Sequence, residues 1–99
     1  RSSETMEGRA RLYERGGAGE HALGTLRAAT VARLARTLGL PRTASVREGE
    51  DAAAAIGGRD PASVLALLDS ARAIGDRDLV RLSDELLRLE RDVARGMAS

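Results

Sequence analysis

The apolar residues of the chain recur at helical spacing in several stretches, and the last stretch is the clearest. Its large apolar side chains alternate by three and four positions: Leu79, Leu82, Leu86, Leu89 and Val93. This spacing places them on one face of an α-helix. Val80 and Leu87 are predicted to widen that face, and Asp76 to cap the start of the helix. No stretch alternates over four or more positions as a strand would, so the chain is predicted to be all-α.

A long first helix is predicted from Glu4 to Leu38. Its apolar residues fall on one side of a helical wheel: Leu12, Leu23, Leu26, Val31, Leu34 and Leu38. Three glycines predict a kink or a short break near Gly16–Gly19, because each costs a helix about 1 kcal/mol relative to alanine. Gly39 followed by Pro41 predicts the end of the helix, since glycine adopts the left-handed cap conformation and proline cannot continue the helix.

Two shorter helices are predicted between the long ones. Ser45 and Glu48 stand at capping-box spacing and predict a helix that ends at Gly57–Gly58. Its tract of alanines at 52–55 would let a neighbouring helix approach closely. Asp60–Pro61 predicts the start of the next helix. The apolar side of that helix is predicted to consist of Val64, Leu65 and Leu68.

These elements predict a compact bundle of four to five helices. Ninety-nine residues are enough for one domain only, so a single helical domain is expected over residues 1–99, with residues 1–8 disordered or extraneous to it. The core is expected to be thin, because alanine supplies 18 residues and the chain contains one aromatic residue, Tyr13. The lack of aromatic side chains argues against a surface that stacks on single-stranded nucleic acid.

Residues suited to catalysis or metal binding are sparse. The chain has no cysteine and no lysine, and its one histidine is His21. A zinc site would therefore need carboxylates for most of its ligands, and His21 is expected to lie on the surface. Paired acids such as Asp76 and Asp78 are expected on solvated helix faces. We expect no enzyme activity, no metal and no cofactor, with an enzyme of unrecognised type as an alternative.

A second alternative is a DNA-binding helix-turn-helix protein. Four residues stand at the spacing of that motif: Ala54, Gly58, Val64 and Leu67. The recognition helix, however, would present Ser63 as almost its only side chain able to reach a base edge. Residues 46–70 also carry two arginines against five acids, which would repel phosphate. Nucleic-acid binding is therefore not expected.

Charge is distributed unevenly along the chain. Residues 1–47 carry nine arginines and four acids, a net +5, whereas residues 48–99 carry seven arginines and eleven acids, a net −4. Four arginines are the candidate contacts for an acidic protein partner or an anionic membrane surface: Arg27, Arg33, Arg36 and Arg42. Arg33 and Arg36 are predicted to be the surface pair, because they lie about 60° apart on the helical wheel. In the alternative interpretation these arginines face acids of the last helix within the same molecule. The acids considered are Asp84, Glu85, Glu90 and Asp92.

Three blocks of the sequence resemble the C-terminal soluble region of an uncharacterised family of actinobacterial membrane proteins, a domain of unknown function. The blocks are Ala32–Pro41, then Gly58–Pro61 with Val64 and Leu67–Leu68, and then Leu79–Leu82 leading to Leu86, Leu89–Glu90 and Val93. The resemblance covers about residues 9–95. Genes of that family lie beside those of MoxR-type AAA+ ATPases and von Willebrand factor A-like proteins.

The resemblance implies a non-catalytic interaction module on the cytoplasmic face of the plasma membrane. The chain would be the cytoplasmic tail of a membrane protein and would bind a MoxR-type AAA+ ATPase or a von Willebrand factor A-like protein. Arginines close to the bilayer would fit the excess of basic residues on that side of membranes. The resemblance assigns no catalytic residue.

Overall fold

The computed structural model describes the backbone of residues 2–99 and the side chains of residues 19–99. The helices are α1 (Ser2–Leu38), α2 (Val46–Gly57), α3 (Pro61–Leu65), a π-helical turn (Ala66–Ser70) that continues α3, and α4 (Gly75–Ala98). No strand occurs in this part of the chain. The all-α prediction is therefore confirmed, and the number of helices lies within the predicted range.

The end of α1 is formed as predicted. Gly39 has a φ of +67°. The N–H of Gly39 donates to the carbonyl of Arg36 at 3.2 Å, and the N–H of Leu40 donates to the carbonyl of Ala35 at 2.9 Å. This pair of hydrogen bonds satisfies carbonyls that the end of a helix otherwise leaves without donors.

The middle of α1 differs from one of the two predicted possibilities. The helix continues through Gly16–Gly19, so the predicted short break is wrong, whereas the kink stays a prediction. Glycine keeps its backbone hydrogen bonds in a helix, and a break would create two further ends with unsatisfied groups. The side chain of Leu12 lies outside the described side chains, and the expectation for residues 1–8 stays a prediction.

The caps of α2 form as predicted, whereas the cap predicted at the start of α4 is wrong. Ser45 accepts a hydrogen bond from the N–H of Glu48 at 3.1 Å, and Gly58 ends α2 with a φ of +67°. At the start of α4, Asp78 rather than Asp76 accepts from the N–H of Ile74, at 2.9 Å. Because α4 already begins at Gly75, Asp76 lies within its first turn and does not precede it.

The core is small, and α4 contributes more residues to it than any other helix. Its buried apolar residues are Leu23 and Leu34 of α1, Ala53 and Ala54 of α2, Val64 and Leu67 of the third segment, and Leu82, Leu86, Leu89 and Val93 of α4. Leu79 packs against this core while partly buried. The predicted apolar face of α4 and the predicted thin core are both confirmed.

Four residues expected in the core are instead exposed. Val80 and Leu87 are 60% and 51% exposed, because each lies about 200° around the helix from a buried leucine two residues further on. Leu65 and Val31 are also exposed, at 43% and 44%. On the third segment Leu67 takes the buried position that was predicted for Leu65.

Contacts with α4 show the direction in which α1 runs and how closely α2 approaches α4. Glu20 pairs with Arg72 just before α4, whereas Arg33 pairs with Glu90 far along it, so α1 and α4 run in the same direction. A Cβ atom at Gly96 would overlap the carbonyl oxygen of Ile56, which shows how closely α2 approaches α4. The packing buries Thr30 and Leu34 in the second half of α1 and leaves Val31 44% exposed.

Candidate functional site

The four candidate arginines divide into two pairs. Arg27 and Arg33 contact other atoms of the same chain. Arg36 and Arg42 are exposed, and neither forms an ion pair with any side chain that the structure describes. The prediction that Arg33 and Arg36 form a surface pair for a partner is wrong for Arg33, because its guanidinium group already pairs with Glu90. Arg36 has no ion-pair partner among the described side chains.

Arg27 holds the end of the π-helical turn. Its Nε donates to the carbonyl of Leu67 at 2.9 Å, and its Nη2 donates to the carbonyls of Ala66, at 3.4 Å, and of Ala71. Carbonyls at the end of a helix lack helical donors, and a cation there is favourable. Burial lowers the pKa of Arg27 and Asp69 opposes that effect, but an arginine stays charged. Arg27 therefore stabilises the fold.

Arg33 forms an internal ion pair with Glu90. Its Nε and Nη2 donate to the two carboxylate oxygens of Glu90, with 3.0 Å between Nη2 and Oε2. Thr30 is buried and donates to the same Oε2 at 2.9 Å. The hydrogen bond from Arg33 lowers the pKa of Glu90, burial opposes this, and Thr30 adds to the lowering. For this pair the intramolecular interpretation is confirmed.

The other acids considered for that interpretation have different partners. Glu85 pairs with Arg81 on the same helix at 3.3 Å, and Asp92 pairs with Arg59 at 2.8 Å. The hydrogen bond from Arg59 lowers the pKa of Asp92. Asp84 is exposed.

A shallow groove between α1 and α4, which we call the arginine groove, contains this internal ion pair. It is lined by Arg33, Arg36, Thr37, Leu87, Glu90, Arg91 and Ala94. Arg36 and Arg91 are exposed there, whereas Arg33 is already hydrogen-bonded to Glu90. The groove thus offers two exposed guanidinium groups beside one that is paired.

A second groove lies on the opposite side of the second half of α1, and we call it the apolar groove. It is lined by Val31, Leu34, Ala35 and Leu38 of α1; by Leu40, Pro41, Arg42, Ala44, Ser45, Val46, Gly49 and Glu50; and by Leu65, Leu68 and Asp69. Its volume is about 450 Å³. Three separate segments of the chain therefore meet around one cavity.

Large apolar side chains stay open to solvent in the apolar groove. Val31 and Leu65 are almost half exposed, and Val46 is 76% exposed. The charged residues of the groove are Arg42, Glu50 and Asp69. The Oε2 atom of Glu50 is buried and has no hydrogen-bond donor. Of the four arginines singled out from the sequence, Arg42 alone lines this groove.

Sequence reasoning missed the apolar groove. It assigned Val31 and Leu65 to the core and gave no role to Leu40 or Val46. A signal was present in those last two residues, because Leu40 follows the helix-ending Gly39 and Val46 directly follows the cap residue Ser45. Leu40 lies beyond the end of α1 and Val46 is the first residue of α2, so neither continues a predicted apolar helix face.

The helix-turn-helix positions are occupied by packing residues. Ala54, Val64 and Leu67 are buried, and Gly58 makes the turn between α2 and α3. Arg59, at a turn position that is normally apolar in such motifs, pairs with Asp92 of α4. Ser63 is exposed on α3. The DNA-binding alternative stays a prediction.

His21 is exposed on α1, as expected. Within residues whose side chains are described, no group of three or more acidic or histidine side chains is arranged to hold a metal ion. None of the described helices combines the length and the apolarity that crossing a bilayer requires. No family model, curated protein or solved structure matches the chain.

Proposed function

We propose that this chain is a non-catalytic helical interaction module and that its protein partner binds in the apolar groove. The observation that carries the proposal is the exposure of Val31, Val46 and Leu65 around one cavity. Contiguous apolar surface on a soluble domain marks interaction sites. Burying such surface is worth about 25 cal/mol for each Å² removed from water.

The residues around the groove have separate roles in this proposal. Val31, Val46 and Leu65 supply the apolar contact area. Arg42 is exposed at the same groove and contacts an acidic group of the partner, as charged residues at the rim of interfaces do. Arg27 and Arg33 contribute by holding α1 in place, since their guanidinium groups already have partners.

The resemblance to the actinobacterial family supplies the identity of the partner. We propose a MoxR-type AAA+ ATPase or a von Willebrand factor A-like protein, bound at the cytoplasmic face of the plasma membrane. In that setting the chain is the cytoplasmic tail of a membrane protein. Arg36, exposed in the arginine groove, is then available to anionic lipid, where each basic residue contributes about 1 kcal/mol.

A matched pair of leucines tests the proposal. Leu65 lines the apolar groove and Leu87 the arginine groove, and their exposed fractions are similar. Binding of the chain to a purified MoxR-type ATPase and to a von Willebrand factor A-like protein from the same organism is measured by calorimetry. We expect Leu65→Asp to abolish binding and Leu87→Asp to preserve it, because only the first places a charge among the apolar contacts.

A second variant in the apolar groove controls for the case in which Leu65→Asp does not fold. Val46→Asp changes a residue that is three-quarters exposed, so it should leave the helical circular dichroism signal unchanged and still abolish binding. Loss of binding in Leu87→Asp alone would place the site in the arginine groove and contradict the proposal. Absence of binding to both purified proteins by the unaltered chain would overturn the partner assignment.

A further inference from the structure

We infer that the segment bound by the apolar groove is an amphipathic helix whose apolar face carries a lysine or arginine that pairs with Glu50. The inference rests on the proposed function and adds the chemistry of the partner segment. Three observations support it: the length of the groove wall formed by α1, the helical structure of the segments around the groove, and the charged residues that line it.

The wall formed by α1 has the length of two helical turns. Val31, Leu34 and Leu38 line it at positions i, i+3 and i+7, so it extends for about 10 Å at 1.5 Å per residue. A partner helix presents its own apolar side chains at the same spacing when it lies in a groove. Two turns of such a helix therefore match the wall.

A helix fits this site better than an extended peptide. Extended peptides gain affinity from main-chain hydrogen bonds with the exposed edge of a sheet. Across the described part of the chain there is no strand, so no such edge is available at the groove. A helical segment satisfies its own backbone groups, and it needs from the groove only contacts for its side chains.

The charges inside the groove select a basic side chain. Glu50 Oε2 is buried without a donor, and a buried acceptor left without a donor costs stability. Asp69 adds a second carboxylate to the lining and already interacts with Arg27. Arg42 forms no ion pair with either acid among the described side chains. A cation on the partner satisfies Glu50, whereas a carboxylate there would meet two like charges.

The test selects helical peptides from a random library on the immobilised chain. We expect the selected peptides to share apolar residues at i, i+3 or i+4, and i+7, together with a lysine or arginine inside that stripe. Their affinity should fall at least about tenfold in Glu50→Gln, which removes the charge of the ion pair. Glu48→Gln is the matched control, because Glu48 is exposed on the same helix and does not line the groove.

A charge reversal tests the pairing directly. Peptides in which the basic residue is replaced by glutamate should bind poorly to the unaltered chain and regain affinity for Glu50→Arg. Selected peptides without a basic residue, or equal affinities for Glu50→Gln and Glu48→Gln, would overturn the inference. If Leu65→Asp abolishes binding of the ATPase and Glu50→Gln does not weaken it, the proposed function stands and the inference about the basic residue fails.

Sedimentation measurements distinguish a partner helix from a second copy of this chain. The outer face of α4 exposes Val80 and Leu87 together with Arg88 and Arg91, so binding of a second copy is the alternative that has to be measured. We expect the isolated chain to sediment as a monomer. A dimer that Leu65→Asp dissociates would assign the groove to a second copy and overturn the inference.

Discussion

The two sides of the second half of α1 differ in how their side chains are used. On one side Thr30 and Arg33 donate to Glu90 of α4, and the polar groups satisfy one another. On the other side Val31 and the neighbouring apolar residues border a cavity that no helix fills. Both sides of the helix border a groove, but on the first side polar groups pair within the molecule, whereas on the second side apolar side chains stay partly in water.

The difference shows that charge and exposed apolar surface carry different information about binding. The arginines were the most conspicuous feature of the sequence, yet two of the four have internal partners. Exposed ion pairs form readily and contribute little to stability. Val31, Val46 and Leu65 keep between 43% and 76% of their surface in water around one cavity, so they are the stronger indication of a partner.

Replacing Arg27 should have the largest effect on stability. Arg27→Ala removes a charged donor from three carbonyls around the π-helical turn. Since hydrogen bonds to charged groups contribute about 1.5–3 kcal/mol each, and contributions from one side chain are not additive, we expect a loss of about 3 kcal/mol. Denaturant unfolding measures it. Arg36→Ala is the control and should unfold at the same denaturant concentration as the unaltered chain. Equal stability of Arg27→Ala and Arg36→Ala would contradict the conclusion that Arg27 stabilises the fold and Arg36 does not.

Two glutamates should respond oppositely to the same substitution. Glu90→Ala leaves the buried hydroxyl of Thr30 without its acceptor, so a loss of about 1–3 kcal/mol is expected. Glu50→Ala removes a buried oxygen that has no donor, so the free energy of unfolding should stay constant or rise. A comparable loss of unfolding free energy in both variants would show that Glu50 stabilises the fold, which would contradict its assignment to partner binding.

Acid should lower the free energy of unfolding through protonation of Glu90, and this effect should be smaller than those of the substitutions above. The pKa of Glu90 is lowered in the folded chain by Arg33 and Thr30, so its ionised form stabilises the fold above the pKa of the unfolded chain. That contribution is lost as the pH falls from about 4.3 through the lower folded pKa. Asp92, whose pKa Arg59 lowers, acts in the same direction.

The acid effect is measured by unfolding at a series of pH values. The difference in stability between the unaltered chain and Glu90→Gln should be constant near neutral pH and shrink as the carboxylate is protonated. A difference that stays the same down to the lowest pH would mean that the charge of Glu90 contributes nothing to folding.

Much of the fold follows from local signals in the sequence. Leu82, Leu86, Leu89 and Val93 of α4 are buried as their spacing predicts, and the caps at Gly39, Ser45 and Gly58 form as their residue types predict. Periodicity tells which residues share a helix face, but not how much of that face a neighbouring helix covers. This is why Val80 and Leu87 were wrongly placed in the core.

The candidate site was less accessible to sequence reasoning. That the arginines face acids of the last helix was one of two interpretations, since opposite charges in the two halves of the chain favour it, but the particular pair of Arg33 with Glu90 was not predicted. The apolar groove was not foreseen, because it forms only when α1, the segment around Val46 and the third segment around Leu65 come together. Residues distant in sequence meet there by tertiary packing, which a local pattern does not encode.

Methyl NMR of the chain with labelled valines and leucines tests most directly whether the partner occupies the apolar groove. Val31, Val46 and Leu65 report on the apolar groove, and Leu87 on the arginine groove. On titration with the MoxR-type ATPase, we expect the methyl signals of the first three residues to shift or broaden while those of Leu87 and the distant Val80 stay unchanged. Shifts confined to Leu87 and Val80, with the other three unaffected, would contradict it.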